Sequence, residues 1–95
     1  MKLTITPSTL KGKKWKAFFS DDEHKKTIHF GSSEYQDFTQ HNDLMRRKAY
    51  ISRHQTREDW TTPFSAGSLS RWILWGDSTS FDKNVSDFKK RFHLD

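Results

Sequence analysis

Cysteine is absent from the 95 residues, which removes disulfides, thiolate nucleophiles and zinc–thiolate centres together. Proline occurs twice and glycine four times. Neither is clustered, and the chain shows no Gly-rich phosphate loop, low-complexity tract, internal repeat or inter-domain linker. No apolar run reaches the length of a membrane span and the first residues lack a signal-peptide pattern, so a soluble intracellular protein with no membrane partner is expected. Aliphatic residues are scarce as well: hydrophobic residues make up 32% and the mean hydropathy is −1.00, values that by themselves point toward disorder. Four Trp, eight Phe and two Tyr reverse that inference, because each buries a large area and together they can offset chain entropy. The 17 Lys and Arg against 12 Asp and Glu give a formal charge of +5, for which polyanions are the natural partners.

The length suits one small domain over residues 1–95. Its most apolar stretch, Thr61 to Gly76, predicts a buried helix with Thr62 as cap, Pro63 in the first position and Gly76 just past the end. Leu69, Trp72, Ile73 and Gly76 share one face, with Arg71 and Trp75 to its side, and the small Gly67 and Ser70 invite close approach by another element. Upstream, Lys2–Thr6 alternates as a short strand and Ser8–Lys14 reads as a basic loop. Trp15, Ala17 and Phe19 form the inward face of a second strand, and Thr27–Phe30 completes an antiparallel hairpin. Ser33 with Gln36 matches a capping box for a brief helix carrying Tyr35 and Phe38. Asn42 or Asp43 can cap a helix from Leu44 to about Arg57, with Leu44 and Ile51 inward, flanked by Met45 and Ala49. Phe81, Val85, Phe88 and Phe92 make the apolar stripe of a last helix. The predicted class is α+β, an N-terminal antiparallel hairpin or three-stranded sheet packed against about three helices.

Several segments resemble a small family of uncharacterised proteins encoded by large DNA viruses of algae and amoebae: His29-Phe30-Gly31, Tyr35 to His41, Arg46 to His54, Glu58-Asp59-Trp60, Ala66-Gly67, Ser70 to Trp75, and Asp87 to Phe92. The resemblance runs from about Trp15 to Phe92. It implies a compact stand-alone domain in a viral setting, in the host nucleus or cytoplasm or carried in the virion, and it assigns no activity to any residue.

The foremost functional constellation is a predicted outer stripe of Arg46, Tyr50, Arg53 and Arg57, at spacings of four, three and four, with Arg47, Lys48 and His54 alongside. Cations over about three helical turns can neutralise successive phosphates, and a tyrosine among them can bond a phosphate or stack on a base. Lys11, Lys13, Lys14 and Lys16 offer a second phosphate contact, while Trp15, Trp60, Trp72 and Trp75 read as core. These features point to a non-enzymatic nucleic-acid-binding module without cofactor, DNA favoured over RNA and duplex over single strand, binding through Arg46, Arg47, Tyr50, Arg53, Arg57, Lys13 and Lys14. The alternative is a small virion or host-interaction protein that uses Trp60, Phe64 and Trp75 to contact a viral protein or a second copy of itself. A metal-dependent nuclease ranks third, since it needs His41, Asp43 and His54 to converge; no Ser–His–Asp signature is present.

Overall fold

The computed structural model describes residues 1–95. Three strands, β1 (Lys2–Pro7), β2 (Lys13–Ser20) and β3 (Lys25–Ser32), form an antiparallel sheet with β2 in the middle. Two short helices and two 11-residue helices follow: α1 (Phe38–His41), α2 (Leu44–His54), α3 (Ala66–Leu69) and α4 (Phe81–Arg91). The α+β class and the three-stranded sheet are as the sequence predicts.

Register puts Leu3 opposite Phe19, Ile5 opposite Ala17 and Trp15 opposite Phe30, so every second residue of each strand faces the same way. Leu3, Ala17, Phe19 and Phe30 meet Leu69, Ile73, Leu74 and Phe88 in one core. Each large side chain there contributes roughly 1.5–3 kcal/mol of transfer free energy. Partly buried aromatics extend the core outward: Trp15 stacks on Phe81 at 4.4 Å, and Phe64 meets Phe19 edge-on at 5.0 Å. The C-terminus closes the open edge of β1, where Leu3 N–H donates to the Asp95 carbonyl and Asp95 N–H to that of Met1.

The central segment departs from the predicted single helix. Thr62 and Pro63 precede it; Ser65 is the cap, its hydroxyl accepting from Ser68 N–H, and from Ser70 to Leu74 the chain widens into a π-helix closed by a Trp75 N–H to Ser70 C=O bond of 2.9 Å. The late start follows from irregular backbone packed along this segment: the Ser68 hydroxyl bonds the Thr62 carbonyl, and Trp72 Nε1–H reaches the Trp60 carbonyl at 3.1 Å. The wider turn keeps consecutive Ile73 and Leu74 in the core.

Two other expectations are corrected. The capping box belongs to Asp37 and Gln40 rather than Ser33 and Gln36, so Tyr35 lies in a turn before α1. Helix α2, capped by Asp43, ends at His54 and is turned so that Tyr50 is its buried residue, while Leu44 and Met45 are 69% and 75% exposed. The aromatic ring with a stacking partner beneath it won over the aliphatic pair without one.

Candidate functional site

A cleft of about 540 Å³ opens where the ends of β2 and β3 that carry Lys13, Lys14, Gly31 and Ser32 meet α2 and the start of the central segment. Two glycines let its walls come together. Gly31 has φ +81°, and a Cβ there would lie 2.8 Å from Leu74 Cδ1; at Gly67 it would lie 2.8 Å from Glu58 Oε1. The close approach foreseen at Gly67 is therefore made by a carboxylate.

The two basic regions of the sequence meet here: Lys13 and Lys14 come from β2, Arg46, Tyr50 and Arg53 from α2. Their roles differ. Lys14 Nζ lies 2.7 Å from both Asp37 Oδ2 and Gln40 Oε1, ties β2 to the cap of α1, and has its charge neutralised, so it is no free phosphate cation. Lys13, Arg46 and Arg53 have no ion-pair partner and are exposed. Tyr50 is corrected from an outward contact to a packing residue: its ring lies between Trp75, at 4.3 Å and 3°, and His54, at 4.2 Å and 25°.

Arg47 and Arg57 lie outside the cleft. Arg47 braces α2 against the end of the π-helix, its Nε donating to the Gly76 carbonyl at 2.9 Å and its Nη2 to Asp77 at 2.9 Å, with Phe38 beneath its guanidinium. Arg57 sits exposed in the turn after α2. The straight four-residue stripe is thus replaced by a cluster of three unpaired cations contributed by two elements.

Of the two carboxylates lining the cleft, Asp37 is paired with Lys14, and Glu58 has one oxygen 3.0 Å from His54 Nδ1 and the other accepting from Trp60 Nε1–H at 2.9 Å. Its four-residue spacing from His54 is the signal that foretells this pair. Arg71 was less legible. It is buried, donates to the Trp75 carbonyl at 2.9 Å and lies between Trp60 and Trp72, while Arg91 covers the Trp72 ring at 3.6 Å. Burial pushes the Arg71 pKa down, but guanidinium basicity is high enough to keep it charged. Trp60, Phe64 and Trp75 do not form one exposed patch, because Trp75 lines the cleft and Phe64 packs against Phe19, at the opposite end of β2 from Lys13.

His41 is a structural residue with a pH signature. Its Nδ1 accepts from Asp43 N–H at 2.9 Å, its ring lies 5.3 Å from Trp75, and its Nε2 is buried without a partner. Desolvation, reinforced by the nearby Arg46 charge, holds its pKa below the ordinary 6.5. The unfolded chain then binds the proton more strongly than the fold, so stability is complete above the unfolded pKa and declines as the pH falls below it. Urea midpoints measured on either side of pH 6.5 should fall with acidification more steeply in the parent than in His41→Gln. Equal pH slopes would remove His41 as the source.

His41, Asp43 and His54 serve these separate roles, and no group of three or more His, Asp or Glu side chains is placed to hold a metal ion. The chain belongs to a family of unknown function (DUF5754), whose model matches residues 3–54, the sheet through α2 and just over half of the chain. That span includes Lys13, Arg46 and Arg53 and ends before Glu58. No curated protein and no solved structure matches the chain.

Proposed function

We propose that this protein is a non-enzymatic nucleic-acid-binding module that holds phosphates at the mouth of the cleft. The observation that carries the reading is the meeting of Lys13, Arg46 and Arg53, from β2 and α2, with none committed to an acidic partner. An unpaired cation keeps its full charge for a ligand, and the counterions it displaces from a polyanion provide the driving force. The basic excess of the whole chain favours the same class of partner. DNA is favoured over RNA, and an intracellular viral setting is part of the proposal; both rest on the segments that resemble proteins of large DNA viruses.

Fluorescence anisotropy of labelled DNA across a salt series tests the proposal. The parent should bind with steep salt dependence, and Lys13→Ala/Arg46→Ala/Arg53→Ala should reduce the slope of log K against log salt by about 2 on a single strand, at about 0.7 per lost phosphate contact. The three side chains are exposed, so the folded state should survive, which circular dichroism checks. No binding at low salt, or an unchanged slope in the triple variant, would sink the reading.

A second reading, contact with a viral protein or another copy of the chain, draws support from Leu44 and Met45, which stand exposed at the start of α2.

A further inference from the structure

We infer that the cleft receives a single strand, with one unstacked base laid on Tyr35, in place of the duplex that a basic helix suggests. This deepens the nucleic-acid reading and rests on it.

The placement of the cations is the first reason. Arg46 and Arg53 stand on the flank of α2 that borders the cleft, whereas the side turned away from the core carries Met45, Lys48 and Ser52. A helix reads a major groove with its outward convex side, and on α2 that side holds a single cation. Phosphates held by Lys13, Arg46 and Arg53 must instead lie along the cleft mouth.

The cleft itself is divided by charge. Glu58 is more buried than the three cations and repels phosphate from the interior. Both of its oxygens retain acceptor capacity after bonding His54 and Trp60, and Ser70 lines the same space. A base edge, carrying amino donors and no net charge, suits that interior, while its backbone stays with the cations. The volume of about 540 Å³ falls in the range of small-ligand sites. Only a base free of its duplex partner can enter it.

Tyr35 supplies the stacking surface. It lines the cleft, is 70% exposed, and makes no aromatic or cation contact within the fold. Tyr50 has both faces occupied, by Trp75 and by His54, and Trp75 lies with one face on Tyr50 and the His41 ring 5.3 Å away. Tyr35 therefore stands beside the phosphate-holding cations with an open face, the pairing of aromatic platform and basic groove by which single strands are held.

The test uses the full chain with a labelled oligodeoxycytidine, whose bases carry an amino donor, the same strand annealed to its complement, and an oligodeoxycytidine with abasic sites. The single strand should bind at least about tenfold tighter than the duplex at equal salt, and the abasic strand and Tyr35→Ala should each lose about tenfold, the loss of one base–aromatic stack. Tyr35→Phe should bind like the parent, because the ring and not the hydroxyl is used. Duplex binding as tight as single-strand binding, or a neutral Tyr35→Ala, would overturn this inference while a cation-dependent salt slope leaves the nucleic-acid reading standing. Absence of binding to all three probes would overturn both.

Discussion

Asn84→Ala is expected to lower the unfolding free energy by about 3–4 kcal/mol, more than truncation of any polar residue on the exposed side of α4. Asn84 is 1% exposed and uses its whole amide. Nδ2 donates to the Ile73 carbonyl at 2.9 Å and to the Ser78 carbonyl at 2.7 Å, and Oδ1 accepts from Ser78 N–H at 3.1 Å. One side chain thereby closes the end of the π-helix and the turn that leads into α4. Truncation strands three backbone groups, each at a cost of roughly 1 kcal/mol or more, and leaves a void against Gly76. Gly76 is part of the same arrangement, since a Cβ there would lie 2.7 Å from Asn84 Cγ. For a domain of this size the loss corresponds to a fall in Tm of about 15–25 °C. Ser86→Ala, at an exposed position on the same helix, should change Tm by little. A shift under about 5 °C in Asn84→Ala would show that water replaces the amide without cost.

Asn84 also shows what kind of information the sequence held. It lies three residues after Phe81 and four before Phe88, within the apolar stripe that correctly placed α4, so a polar group at a core position was visible there. Its partners were not visible, because the Ile73 carbonyl, left open where the π-helix ends, is met by a side chain 11 residues on, a pairing that periodicity does not announce. The strands were legible for the complementary reason: Trp15, Ala17 and Phe19 alternate, and a period of two assigns the inward face wherever one side is buried. The same principle failed on α2, where two apolar faces competed, Leu44 and Met45 against Tyr50. The choice depended on Trp75, 25 residues downstream of Tyr50. The cleft was legible as an inventory of charges, Lys13 and Lys14 in one segment and Arg46 and Arg53 in another. Their meeting depends on how α2 returns over the end of the sheet, and the loss of Lys14 to Asp37 depends on the cap of α1.

Tyr50 joins stability to binding, and its two substitutions should separate them. Tyr50→Ala should cost about 3–5 kcal/mol, the range for removing a buried large aromatic side chain. Tyr50 is the buried residue of α2, and its ring is held on both faces by Trp75 and His54. Without it, α2 keeps the Arg47 brace to Gly76 and Asp77 but loses its aromatic contact with the central segment. Arg46 and Arg53 ride on this helix, so the same substitution should weaken DNA binding and flatten its salt dependence even where the sheet persists. Tyr50→Phe should do neither. The hydroxyl makes no hydrogen bond within the fold, and burial raises the phenol pKa, so the ring stays uncharged at neutral pH. Urea denaturation and anisotropy on both variants decide the matter: parent-like stability and affinity in Tyr50→Phe place the residue in the packing of the helix. A Phe variant as stable as the parent but with markedly weaker DNA affinity would return Tyr50 to direct contact with the ligand and require the cleft to admit phosphate beside Glu58.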